Sequence, residues 1–260
     1  MIAKHVNGLT YYQFESLSPE RVRHGIFARL GGVSRGPYAA LNLSLSVPDE
    51  PEAVAENRRR FYAAMEMEPD SAIRTVQVHG ARVAAVDAGD VRRVQPGTDG
   101  LVTRTSDLPL VMAFADCVPI LLFDPVEEVV GIAHAGWRGL VRGIGQATVR
   151  CMEEAYGCRA SNVRAGIGPA IGSCCYEVGP EVVEAFRVTF GEMRPLFRTN
   201  SSGACHLDLW AASETALRLA GVEQIEHACL CTACHVDEFY SHRREGGQTG
   251  RFGAIIALRS

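Results

Sequence analysis

The sequence has no apolar run near the ~20 residues needed to span a bilayer. It has no basic surplus either: the formal net charge is -4, where nucleic-acid binders carry a basic excess or stripe. The densest basic run, Arg58-Arg59-Arg60, falls inside an expected helix and reads as a solvated face. The first residues, MIAKHVNGLTYYQF, contain no long apolar segment and no small-residue cleavage site, so the expected location is the cytoplasm. Internal repeats, low-complexity tracts and long linkers are missing, and turn signals are evenly spread. The expectation is one compact domain over residues 1–260, monomeric by default and with no membrane or nucleic-acid partner. The nine cysteines are odd in number and unevenly spaced. Without a secretory leader they read as free thiols or metal ligands rather than a disulfide framework.

What is present is ordinary globular composition, 47% hydrophobic and 22% charged over 260 residues, enough to bury a sizeable core. Helical spacing predicts helices over Pro51 to Met65 with Asp49 as cap, and over Leu140 to Tyr156. Two more are expected, from Gly179-Pro180 to about Phe190 and from a capping Asp208 to Ala220, stopped by Gly221. Short, strongly apolar runs predict strands at Val83 to Asp87, Leu110 to Ala115, Ile120 to Phe123, Val129 to Ala133, Val163 to Ile167 and Ala254 to Leu258. Several read as buried on both faces. Strands follow one another before each helix, which favours an α+β fold over an alternating doubly wound sheet.

Three stretches bring ligand-type side chains to strand ends: TVQVHG with His79, ADCVP with Asp116 and Cys117, and HAGWRG with His134. Imidazole and thiolate suit zinc or copper, and three protein ligands leave a tetrahedral position open, the pattern of a catalytic rather than a structural site. The residues alone leave other readings open. Each side chain fits a packed, hydrogen-bonded strand end, and Cys117 with His134 as base also makes a hydrolase pair. No compact zinc-finger spacing decides between them.

Together TVQVHG, ADCVPILL, HAGWRG, IGPAIGSCCYEVG and FYSHRREGGQTGR, in that order, resemble the laccase-domain family. Its members are also called multicopper polyphenol oxidase-like proteins, purine nucleoside phosphorylases or peptidoglycan editing factors. The resemblance runs from about Gly25 to the C-terminus. It implies a layered α/β/β/α-type domain with mixed sheets covered by helices, and a zinc site at His79, Cys117 and His134, with copper the alternative metal. It also implies phosphorolysis of adenosine, inosine and methylthioadenosine, with adenosine deamination at the same centre. Copper-dependent phenol oxidation and amide cleavage in peptidoglycan precursors are the alternatives that the family's other descriptions carry.

For such chemistry Asp116 is expected either to shuttle a proton or to orient a ligand. The second role is favoured because adjacent side chains on a strand point to opposite faces. Phosphate requires a cationic site, for which Arg29, Arg138 and Arg243 or Arg244 are the candidates, each beside glycines. Asn42 and Gln77 are expected to offer amide contacts to base or sugar. Cys231-Thr232-Ala233-Cys234-His235 matches a haem-attachment pattern, but without an export signal it reads as a decoy. A structural zinc on Cys229, Cys231, Cys234 and His235 is its alternative, and Cys174-Cys175 reads as packed free thiols.

Overall fold

The computed structural model describes residues 1–91, 93–191, 196–201 and 203–260. The N-terminal half runs β1 (Ile2–Val6), β2 (Leu9–Gln13), β3 (Val22–Phe27), α1 (Pro51–Ala64), β4 (Ile73–Val76), β5 (Val83–Ala85), β6 (Val94–Pro96), β7 (Gly100–Thr103) and β8 (Leu110–Phe114). The chain continues through β9 (Val118–Asp124), β10 (Val129–Ala135), α2 (Trp137–Val141), α3 (Ile144–Tyr156), β11 (Arg164–Ile167) and α4 (Pro180–Phe190). It ends with β12 (Phe197–Thr199), β13 (Cys205–Leu207), α5 (Leu209–Leu219), β14 (Gln224–His227) and β15 (Phe252–Leu258).

A seven-stranded sheet has the order β1-β2-β3-β15-β8-β4-β6, and a six-stranded sheet the order β14-β11-β9-β10-β7-β5; β12 and β13 form a separate ribbon. Both large sheets are mixed, because β4 runs parallel to β6 and β8 in one, and β5 parallel to β7 in the other. Side chains alternate across each strand, so β15 sends Ala254 and Ile256 into the layer between the sheets and Ile255 and Ala257 toward α1. In the same way β9 turns Leu121 and Phe123 to the inter-sheet layer and Ile120 and Leu122 to the layer under α3 and α5. The order of layers is therefore helix, sheet, sheet, helix. With both faces covered, β9, β10 and β15 are buried at every residue, which explains their continuous apolar runs.

Local chemistry corrects two helix expectations. The helix expected from Leu140 to Tyr156 is broken, because Gly143 takes φ +83 and separates α2 from α3. Asp49 does not cap α1. Glu50 holds the cap position without a side-chain bond, and the Asp49 carboxylate instead accepts from Ser34 Oγ, Asn42 Nδ2 and the Glu50 N–H. Asp208 does cap α5, accepting from the Ala211 N–H, and Gly221 at φ +91 follows its last turn. Among the described residues no helix is long and apolar enough to cross a membrane.

Candidate metal centre and its cavity

His79, Cys117 and His134 come together where the chain passes from one sheet to the other. β8 belongs to the first sheet and β9 to the second, and Ala115-Asp116-Cys117 is the crossing. In the β9–β10 ladder Ala135 faces Val118 and His134 faces Pro119, so Cys117 emerges beside Gly136. A Cβ at Gly136 would stand 2.8 Å from Cys117 Sγ and 3.1 Å from His79 Nδ1, so only glycine leaves those two groups room. His79 follows β4 and takes φ +57, and Asp116 takes φ +85; both are left-handed conformations that side chains rarely adopt and that cluster at functional sites.

One ligand atom from each of His79, Cys117 and His134 lies within 4.8 Å of the other two. Cys117 Sγ is 3.9 Å from His79 Nδ1, and the two imidazole rings lie 4.8 Å apart. The His134 ring donates from Nδ1 to Asp99 Oδ1 at 2.9 Å, which leaves Nε2 as its free nitrogen. A carboxylate behind a histidine fixes its tautomer and orientation for a metal. Soft sulfur, two imidazoles and an oriented tautomer fit a mononuclear zinc or copper centre.

Asp99 is the residue that sequence reasoning missed. It immediately precedes β7, whose Gly100 pairs with Ala133, so its main-chain oxygen accepts the His134 N–H at 2.8 Å. Its carboxylate accepts from His134 Nδ1 and from the N–H groups of Val78, His79 and Gly80. One fully buried carboxylate thus sets the positions of two of the three donors. Burial alone would raise its pKa, but the His134 ring and the Gly80 and Val78 N–H groups hold it below the usual carboxylate range. Burial also disfavours the Cys117 thiolate and the His134 imidazolium. Their mutual attraction outweighs it in the metal-free protein, with Asp99 adding to His134 and His79 to Cys117. The thiol is lowered to about 6 and the imidazole raised to about 9.

Beside these donors opens a cavity of about 750 Å³. Gln77, Arg243 and Asp116 line it, as do His79, Cys117 and His134. Gln77 spends both ends of its amide on the main chain of Ala113. Asp116 accepts from Thr232 Oγ1 at 2.6 Å and from the Arg243 N–H at 2.7 Å, so its carboxylate pins loops beside the donors. The remaining expectations fall outside the cavity wall. Arg29 pairs with Glu245, donates to the Ala39 and Val236 carbonyls and lies over the Tyr240 ring. Asn42 is fully buried and binds Ser44, Asp49 and the Arg251 N–H. Arg138 is exposed over Trp137, and Arg244 is exposed too.

The cavity has other cations instead. Arg58, Arg74 and Arg251 line it with Arg243, and among its described lining residues Asp116 is the only carboxylate. The basic run is therefore split. Arg59 and Arg60 pair with Glu56, whereas Arg58 turns inward and donates to the Leu43 carbonyl. Its sequence signal is helical spacing, since Val54, Arg58, Phe61 and Tyr62 share a face. Cys231 and Cys234 group with Cys174 and Cys175, not with Cys229 and His235, which corrects that expected ligand set.

The family described as multi-copper polyphenol oxidoreductase laccase matches residues 23–259. The chain belongs to this family. A Deinococcus radiodurans protein named purine nucleoside phosphorylase is 42% identical over 241 residues, covering 91% of this chain and 89% of its own length. Purine nucleoside phosphorylase YlmD of Geobacillus stearothermophilus is 39% identical over 245 residues, 90% of this chain and 89% of that one. The crystal structure of YlmD from that organism superposes with a TM-score of 0.93 at 36% identity, covering 99% of this chain and 98% of its own. Bacillus licheniformis YfiH gives 0.92 at 34% identity, covering 99% of both chains. The layered mixed α/β fold expected from the resemblance is the fold found.

Proposed function

We propose that the protein is a zinc-dependent purine nucleoside phosphorylase acting on adenosine, inosine and methylthioadenosine, with adenosine deamination at the same centre. The observation that carries the reading is the placement of the His79, Cys117 and His134 donors in the wall of a cavity with four arginines and one carboxylate. Relatives that match along nearly the whole chain bear the name purine nucleoside phosphorylase, which supports the phosphorolysis part of the reading.

Phosphorolysis breaks the C1′–N9 bond of the nucleoside and forms a C1′–O bond to phosphate. Positive charge develops on the ribose and negative charge on the departing purine. The phosphate must be stripped of water and aligned with the reacting carbon, and in a low-dielectric cavity fixed guanidiniums do this at little reorganisation cost. Arg58, Arg74, Arg243 and Arg251 are the groups that reach the cavity. Leu45, Val76 and Val94 present aliphatic surface in the same wall for the flat base. Zinc at the donor set would act as a Lewis acid and lower the pKa of water, the requirement of the deamination step. Asp99 keeps the proton of His134 on Nδ1, and Asp116 holds Thr232 and Arg243 in place around the cavity.

Phenol oxidation by several coppers fits the residues poorly. Such chemistry needs clustered histidines, and among the described residues only two share a metal-type group. Purified, zinc-loaded protein incubated with adenosine or inosine, with and without phosphate, should form free base and ribose 1-phosphate only when phosphate is present. Deamination should continue without it. If chromatography detects no base, hypoxanthine or inosine, the proposal fails.

A further inference from the structure

We propose that Cys174, Cys175, Cys231 and Cys234 form a second metal site, a four-thiolate zinc centre that fastens two loops behind the cavity. The site is independent of the His79, Cys117 and His134 donors and of the activity proposed for them. One sulfur from each of the four cysteines lies within 4.8 Å of the others. Cys234 Sγ is 3.6 Å from Cys174 Sγ and 3.5 Å from Cys175 Sγ. A tetrahedral zinc with Zn–S bonds of about 2.3 Å sets its sulfurs about 3.8 Å apart, close to these separations. A disulfide would need about 2.05 Å and would use only two of the four sulfurs.

The backbone builds this cluster. Cys174 and Cys175 lie in a turn closed by the Cys175 and Tyr176 N–H groups on the Gly172 carbonyl. Cys231 and Cys234 lie in another, closed by the Cys234 and His235 N–H groups on the Cys231 carbonyl. A parallel bridge between Ala170 and Cys231 sets the turns side by side. The Gly172 N–H donates to Cys231 Sγ at 3.2 Å, as backbone amides do toward metal-bound thiolates. Cys231 is buried, while Cys174 and Cys234 are exposed, so an ion can enter from solvent. An all-sulfur, four-coordinate set without an open position belongs to a structural site, with zinc its usual occupant.

The two loops are bonded to the residue that precedes Cys117. Thr232, between Cys231 and Cys234, donates to Asp116, and the Ile171 N–H donates to the Asp116 carbonyl. Tyr176, next to Cys175, lines the cavity. The proposed centre thus braces the side of the cavity that Asp99 does not reach.

The test uses the 260-residue chain with Cys117→Ser, which removes a donor from the first site. After loading with zinc and removal of excess, elemental analysis should give one zinc per chain. Adding Cys174→Ser and Cys234→Ser, both at exposed positions, should bring it to none with the circular dichroism spectrum retained. Cobalt titrated into Cys117→Ser alone should give an intense thiolate-to-cobalt charge-transfer band, a readout that stands even if the triple variant folds poorly. Unchanged zinc content in the triple variant, no charge-transfer band, or an intact mass two hydrogens short from a disulfide among these cysteines overturns the site.

Discussion

His24 on β3 and His134 on β10 are both buried, 0% and 4% exposed, yet in the metal-free protein their pKa values move in opposite directions. His24 accepts the Phe14 N–H at Nε2 and donates from Nδ1 to the Val22 carbonyl, so the main chain fixes its neutral tautomer. Burial dominates there and lowers its pKa to about 4. Burial opposes charge on His134 as well, but the Cys117 thiolate and the Asp99 carboxylate outweigh it. Equal burial with opposite outcomes shows that anionic partners, not depth, make a histidine a site residue. It also separates the two environments by test: one histidine should matter to folding, the other to chemistry.

The largest effect should come from the donor set. Cys117→Ser replaces a soft thiolate with a hydroxyl that does not ionise near neutral pH, and nucleoside phosphorolysis should drop to the uncatalysed background while the fold persists by circular dichroism. Activity near that of the unaltered protein would remove Cys117 from the proposed centre. Next is the part that His24 plays in the acid limb of stability. Between pH 6.5 and 4 the unfolded chain protonates this histidine and the folded chain does not. Stability is therefore complete above 6.5 and declines as pH falls toward 4. The shift corresponds to about 3 kcal/mol. Urea unfolding of the unaltered protein and of His24→Gln should diverge by that amount across the window, whereas parallel curves would mean that His24 titrates normally.

A smaller effect tests why His134 differs. Asp99→Asn keeps the shape but exchanges the carboxylate for an amide behind His134. Zinc affinity, measured by competition with a chromophoric chelator, should fall about 10–100-fold, the usual cost of losing a carboxylate behind a ligating histidine. Unchanged affinity with reduced stability would confine Asp99 to holding the Val78–Gly80 backbone.

Long apolar runs identified β8, β9, β10, β11 and β15, because strands covered on both faces need apolar residues at consecutive positions. β1, β2 and β3 stayed unread, because LTYYQ and VRHGIF mix polar residues into their runs. The three donors were legible as ligand-type residues at strand ends, and the family resemblance joined them. Asp99 was not, because its role comes from the β7–β10 register, which pairs segments 35 residues apart. Arg29 and Asn42 show the converse. Glycine neighbours and an amide suggest anion or base contacts, while folding supplies Glu245, Asp49 and main-chain groups that take up their donors.

The smallest effect separates Asp116 from Asp99. Where Asp99 gathers donors from the sheets, Asp116 holds loops through one hydroxyl and one N–H. Thr232→Val preserves shape and removes the 2.6 Å O–H contact, leaving a buried carboxylate oxygen without it. Unfolding free energy should fall by about 1.5–3 kcal/mol, the range for a hydrogen bond to a charged group. Zinc affinity at the His79, Cys117 and His134 donors should stay the same, since no donor atom depends on Thr232. Combined with Asp116→Ala, the two losses should be less than additive, because both substitutions remove the same contact. Strict additivity would show that the hydroxyl and the carboxylate stabilise the loops separately. A drop in zinc affinity at those donors would place Asp116 with Asp99 as a residue that orients a ligand.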